Sequence, residues 1–202
     1  MKGIMKDALI LFAITLIAGF CLGAVHEITL EPIAKAQLEA NTKTFQEVYP
    51  EAASFGLNDQ LAQAAQDIAG DLAGQGFGSV TVDNVQEALD ASGNVIGYLI
   101  TSSSSEGYGG TVQVAVGISN DGTLTGIGFL DISETVGLGM NAQNPEFKDQ
   151  YAGKAAQVFE VTKTGATADN QINAISGATV TSNAVTGAVN AAVYFFENCI
   201  AQ

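Results

Sequence analysis

The residues best suited to chemistry stand at Ser176-Gly177-Ala178-Thr179-Val180-Thr181-Ser182, a run of small and hydroxyl-bearing side chains ahead of an apolar helical pattern. Unpaired amides and the dipole at a helix start favour a phosphate group. Gly177 and Ala178 keep the turn free of bulk. Thr181 presents a secondary alcohol, and Ser176 and Thr179 offer further hydroxyls that can donate to phosphate oxygens without adding charge. The chain contains no arginine, so a phosphate held here relies on backbone N–H groups, hydroxyls or a lysine. The same residues would also make an ordinary helix-capping turn, and spacing alone does not separate the two. Gly107-Tyr108-Gly109-Gly110 separates two strand-like runs, and Glu134-Thr135-Val136-Gly137-Leu138-Gly139 is a second glycine-bearing stretch. Glycines on both sides of Tyr108 either bring the backbone close to a ligand or simply make a tight turn, and Gly137 and Gly139 bend the second stretch.

Other chemistries are excluded by inventory. The single histidine, His26, abuts the apolar N-terminal run, and the cysteines are Cys21 and Cys199 only. Zinc or iron–sulfur sites need clusters of such ligands, and Ser-His-Asp or Cys-His catalysis needs a histidine beside the nucleophile. Seven lysines against 21 acids give a formal charge of −14. Lys2, Lys6 and Asp7 fall in the first 25 residues, so the rest carries five lysines and twenty acids, or −15. A surface that acidic repels phosphate backbones, which speaks against nucleic acid as a partner. Hydrophobic residues make up 47% and charged ones 14% of the 202 residues, a folded composition and not a disordered one.

Ala8 to Val25 is an uncharged apolar run, ALILFAITLIAGFCLGAV, at the short end of what spans a bilayer. A cleaved signal peptide would put the bulky Leu22 where a small residue belongs. A lipoprotein signal would need a small residue before Cys21, where Phe20 stands. A pilin-type start would be interrupted by Lys6 and Asp7. The segment therefore reads as a transmembrane anchor in contact with membrane lipid. Lys2 and Lys6 precede it and Glu27 and Glu31 follow, which puts the N-terminus in the cytoplasm and the remainder outside. His26 is an interfacial residue on this reading, and Cys21 a small apolar residue within the helix.

The elements that must position the three stretches follow from periodicity. Residues 30–48 carry a loose helical stripe at Ile33, Leu38, Phe45 and Val48, with Pro32 in the first turn and Pro50 ending the run. Residues 57–73 predict a second helix through Leu57, Leu61, Ala64, Ala65, Ile68 and Leu72. The period then changes to alternation. Strands are expected over 79–89, 94–102, 111–119 and 123–132, with Asp121-Gly122 a hairpin signal. A short helix from Asn144-Pro145 to about Tyr151, a strand over 157–163, and a final helix capped by Ser182 or Asn183 complete the chain. The fold class is α+β: an N-terminal transmembrane helix, a helical segment, and an antiparallel-sheet domain with a C-terminal helix.

SGATVTS resembles the flavinylation motif Ser/Thr-Gly-Ala-Thr-x-Thr of the covalent FMN-binding domain family. The GYGG stretch followed by TVQVAVGIS, and ETVGLG, resemble two further motifs of that family, in the same order. With the apolar start and the length, essentially the whole chain resembles the G subunit of the Rnf ion-translocating ferredoxin:NAD⁺ oxidoreductase complex. Val136 stands where that family commonly has Pro, and Ile132 where a His often precedes the Glu-Thr pair; neither lies in the attachment motif.

The resemblance implies FMN joined through its phosphate to Thr181, a bond made from FAD by a separate Mg²⁺-dependent flavin transferase. It implies a cofactor site formed by Ser176, Gly177, Ala178, Thr179, Thr181 and Ser182 at the phosphate, with Tyr108, Gly109, Glu134, Thr135 and Leu138 near the ring. It implies one electron-transfer component of a multi-subunit translocase, relaying electrons among integral and peripheral partner subunits while the complex moves Na⁺ or H⁺. The chain alone holds no dinucleotide or ferredoxin site. On this basis residues 1–30 are the cytoplasmic N-terminus and anchor, 31–78 a helical membrane-proximal segment, and 79–202 the covalent FMN-binding domain outside the cell (inner) membrane. Two alternatives accompany it: the C subunit of the Na⁺-translocating NADH:quinone oxidoreductase, which shares the domain and motif but is typically longer, and a non-redox anchored structural protein whose motif is only a cap.

Overall fold

The computed structural model describes residues 2–201, without the side chains of residues 2, 4, 5, 7, 8, 13, 24, 27, 28 and 30–39. The chain divides into two compact units, Met1–Thr42 and Lys43–Gln202. The first is the greater part of helix α1 (Lys2–Val48). Leu9, Leu11, Phe12, Ile14, Leu16, Ile17, Phe20 and Leu22 are all exposed along it, as is Cys21. Among the described residues no helix is long and apolar enough to cross a membrane. The side chains of Lys2, Asp7, Glu27 and Glu31, which bear on orientation, and of Pro32, Ile33 and Leu38 in the expected stripe lie outside the described residues.

In the second unit five antiparallel strands, β1 (Ser54–Leu57), β2 (Val80–Leu89), β3 (Val95–Ser104), β4 (Val112–Ser119) and β5 (Leu124–Ile132), form one sheet in the order β1-β2-β3-β4-β5. Each strand pairs with its neighbour in sequence, as the turn chemistry requires. Asp90 accepts from the amides of Ser92 and Asn94 at 2.8 and 2.9 Å to close β2 onto β3, and those contacts, the Asn94 side-chain bond first, hold its carboxyl below the usual range. Asp121 likewise accepts from Ser119 Oγ and the Thr123 amide to close β4 onto β5.

The sheet is covered on both faces. Val112, Val114, Val116 and Ile118 of β4 join the main core with the C-terminal helix α5 (Thr179–Phe195), while Ala115 faces the opposite way against Val48, with Leu99. This two-sided burial explains why β4 reads as a nearly continuous apolar run. The end of α1 is fixed to the sheet by Thr125 Oγ1, which donates to the Val48 carbonyl at 2.7 Å. Thirteen of the seventeen residues of α5 are buried, and its small side chains allow close contact with β2, β3 and β4. Ser102 Oγ of β3 donates to the Ala188 carbonyl at 2.7 Å across that contact.

Several expected elements differ in detail, and the helix expected over 30–48, with Pro32 in its first turn, is instead continuous with the apolar run before it in α1. The helix expected over 57–73 begins at α2 (Asp59–Asp67) because Asn58 Oδ1 accepts the amides of Gln60 and Leu61 and starts it there. Leu57 instead pairs with Gln86 in β1 and is exposed. A break at Ile68 separates α2 from α3 (Ala69–Leu72). The strand expected over 157–163 is β6 (Glu160–Thr162), and its partner β7 (Gln171–Asn173), parallel to it, carries no sequence pattern of its own. The final helix starts at Thr179, three residues before Ser182, with Ala178 at its cap position and no side chain capping it. The short helix after Asn144 is α4 (Pro145–Lys148), and a single 3₁₀ turn over Gly139–Gln143 precedes it.

Buried polar side chains tie α5 to its surroundings. Tyr151 is fully buried with its hydroxyl 2.7 Å from Thr186 Oγ1, and burial pushes its phenol up. Asn190 accepts the Phe159 amide at 2.8 Å and donates to the Phe159 carbonyl at 2.9 Å. Asn190→Ala leaves both backbone groups of a buried residue unpaired, so it should destabilise the chain by about 2–4 kcal/mol. Urea unfolding followed by circular dichroism should show the midpoint fall with an unchanged slope.

Candidate functional site

The sheet register gathers the three stretches singled out in the sequence. Ser104 at the end of β3 pairs with Val112 at the start of β4, and Val112 pairs with Ile132 at the end of β5. The 105–111 turn and the loop after Ile132 therefore leave the same edge of the sheet. Gly109 lies directly against the Ser133 carbonyl, where a β-carbon would clash, so the absence of a side chain lets the two segments touch. The start of α5 closes the third side. Leu138 Cδ2 stands 3.2 Å from where a β-carbon on Gly177 would be, and Gly177 has a φ of +75°, a turn conformation that glycine adopts without strain.

Between these segments lies a pocket of about 540 Å³ lined by Tyr108, Glu134, Thr135, Leu138, Gly139, Gly177, Ala178, Thr179, Val180 and Thr181. Eight of the expected site residues are thus brought together. Three are not on the lining. Ser176 is exposed, Gly109 serves the contact with Ser133, and Ser182 is fully buried on the inner side of the turn. Ser182 Oγ accepts the Ile175 amide and donates to the Ala178 carbonyl, both at 2.9 Å, so it holds the turn in shape. Val180 and Gly139 line the pocket without having been singled out. Val180 occupies the variable position of its motif, and Gly139 was legible only as a bend.

Thr181 is 1% exposed, yet it faces the pocket. Gly139 makes room for it: a β-carbon on Gly139 would stand 2.7 Å from Thr181 Oγ1 and 2.6 Å from Glu134 Oε2. Both oxygens therefore converge on the space that glycine leaves open. Glu134 Oε1 is buried and has no hydrogen-bond partner. Tyr108, Val136, Leu138 and Val180 expose apolar surface at 77%, 87%, 43% and 51%. No lysine, arginine or histidine lines the pocket, and among the described residues no cluster of His, Cys, Asp and Glu could hold a metal ion.

These residues fit a flavin mononucleotide. The first amides of α5 have no partner within the helix and no side-chain cap, so they are open to a phosphate, with the hydroxyls of Thr179 and Thr181 beside them. Tyr108, Leu138 and Val180 supply aromatic and apolar surface for a ring system, and the volume is that of a small-molecule site, about 300–1,000 Å³.

Comparison with known proteins places the chain in a family. Residues 107–194 match the FMN-binding domain family. The G subunit of the Na⁺-translocating ferredoxin:NAD⁺ oxidoreductase complex from Acetobacterium woodii is 35% identical, over 98% of this chain and 93% of that relative. The G subunit of the ion-translocating oxidoreductase complex from Methanosarcina acetivorans is 31% identical, over 95% of this chain and 94% of that relative. Among solved structures, the C subunit of the Na⁺-translocating NADH-quinone reductase from Parabacteroides distasonis overlaps 56% of this chain and 60% of its own length, at 24% identity and a TM-score of 0.48. With near full-length similarity to relatives such as the first two, the chain belongs to the G-subunit family of the Rnf-type ion-translocating oxidoreductase complexes.

Proposed function

We propose that this chain is the FMN-carrying G subunit of an Rnf-type ferredoxin:NAD⁺ oxidoreductase, with the FMN phosphate esterified to Thr181. The observation that carries the proposal is Thr181 itself: a hydroxyl in the first turn of a helix without a side-chain cap, at the wall of a pocket large enough for a flavin. Bound there, the cofactor would supply reversible uptake and release of electrons, and the chain would act as a relay among the subunits of a complex that moves Na⁺ or H⁺.

The protein's own part is binding and orientation. The amides of Thr179, Val180 and Thr181 face the phosphate position, where the helix dipole favours an anion. Thr179 adds a hydroxyl. Leu138 and Val180 present apolar surface and Tyr108 an aromatic one, and Thr135 and Glu134 are the polar groups opposite. Gly177 and Ala178 keep the approach to Thr181 free of bulk for a flavin transferase. In this division residues 79–202 hold the cofactor, and 43–78 belong to the same compact unit. Residues 1–30 anchor the chain in the cell membrane with the N-terminus in the cytoplasm and the flavin domain outside. The exposed apolar side chains between Leu9 and Leu22 support an anchor, since a helix apolar all round needs an apolar environment.

Intact and peptide mass spectrometry on chain isolated from membranes of a cell containing the transferase should find the mass of FMN less one water on the peptide bearing Thr181. In-gel fluorescence after SDS denaturation should be lost in Thr181→Ala and kept in Ser176→Ala. An unmodified Thr181 in the wild-type chain would overturn the proposal. Gly139→Ala, which would press on both Thr181 Oγ1 and Glu134, should lower flavin occupancy at least several-fold while leaving the circular dichroism of the sheet domain intact. Alkaline carbonate washing should leave the full chain in the membrane pellet, and removal of residues 1–30 should release it.

A further inference from the structure

The pocket contains an electrostatic contradiction. It offers helix amides and hydroxyls to an anion, but its one ionisable acid, Glu134, has a buried oxygen with no hydrogen-bond donor and no cation on the pocket lining to neutralise it. A carboxylate left without partners in a partly dry site is costly, and beside a phosphate it would also repel the ligand. Such a group calls for a specific role. Its surroundings narrow the choice. Gly107 and Gly139 bracket the carboxylate: a β-carbon on Gly107 would stand 3.0 Å from Oε1, and one on Gly139 would stand 2.6 Å from Oε2 and 2.7 Å from Thr181 Oγ1. Glu134 Oε2 and the hydroxyl that would receive the flavin phosphate thus share one small space. The only other titratable side chain on the lining is Tyr108. Thr179 and Thr181 are the polar side chains that α5 contributes, and the 139–143 turn contributes only Gly139.

Resting on the assignment of Thr181 as the attachment residue, we propose that Glu134 is the proton acceptor for that attachment. Thr181 Oγ forms a bond to the phosphorus of the flavin half of a flavin adenine dinucleotide. The phosphoanhydride bond to the adenylate half breaks, AMP departs with its bonding electron pair, and the hydroxyl proton passes to Glu134 Oε2, directly or through one water. In that role the carboxylate activates the hydroxyl as a general base. A separate transferase brings the dinucleotide and Mg²⁺, but the base is carried by the protein being modified.

The test is the rate of flavin attachment to the full-length chain, with purified transferase, FAD and Mg²⁺, followed by fluorescence of the denatured protein. Glu134→Gln preserves shape and removes the acceptor, so the rate should fall by about 100-fold or more. Glu134→Ala should be slow as well and should be accelerated by added formate, a rescue that a merely structural role for Glu134 would not give. Labelling of Glu134→Gln at the wild-type rate would overturn the proposal, as would a slow Glu134→Ala that formate does not restore. A wild-type chain that takes up no flavin on Thr181 would instead remove the functional assignment on which this rests.

Discussion

Helix α5 starts with no side chain over its first amides, and the site depends on that omission. At helix starts a Ser, Thr, Asp or Asn is strongly preferred, because its side chain accepts one of those N–H groups and fills the space before the first turn. Here Ala178 stands at the cap position, and the nearby hydroxyl of Ser182 is directed back into the turn to hold Ile175 and Ala178. The amides are left facing a pocket, and the dipole of a long helix lies behind them. A ligand that is both anionic and attached at this point would complete the helix.

Such an uncapped end is tolerable because the rest of α5 is fixed independently. It packs along β2, β3 and β4 through small side chains, and Ser102, Tyr151 and Asn190 make buried polar contacts along it or its flanks. The opposite face of the sheet is closed by the last turn of α1 through Val48 and Phe45. Covering both faces makes the sheet a rigid platform, and its edge is where the pocket-forming turn and loop emerge beside the start of α5. Site residues placed on rigid elements keep their geometry better than those carried on free loops.

Charge acts on the same site. In a chain of net charge −14 with no arginine, the start of α5 offers an anion only backbone dipoles and hydroxyls. The acidic exterior is a solvated face, which favours solubility of the folded domain. Glu134 is the one place where negative charge enters the pocket, and its unpaired oxygen sets it apart from the solvated acids of the surface.

Much of this was legible in the residues. Runs rich in Val, Ile and Thr marked the four long strands, alternating where a strand is half-buried and nearly continuous in β4, which is covered on both faces, and Asp-Gly at 121–122 marked a hairpin through its turn chemistry. The run SGATVTS announced a helix start, and glycines at 107, 109, 137 and 139 announced bends. The residues did not reveal β7, which is held by pairing with β6 and not by any pattern of its own, nor the division between Leu57 in a strand and α2 beginning at Asp59. They also placed the cap of α5 four or five residues late, at Ser182 or Asn183 and not at Ala178, because hydroxyl residues that favour capping were present and only tertiary packing directed Ser182 inward. The sequence by itself determined which residue types were available: a threonine in a small-residue turn, an acid in a glycine-bent loop, and no arginine to compete with them. The tertiary structure alone decided that Thr181, Glu134 and Tyr108, far apart along the chain, meet around one pocket, because contact between them is set by strand register and by which positions lack a β-carbon, and neither is encoded locally.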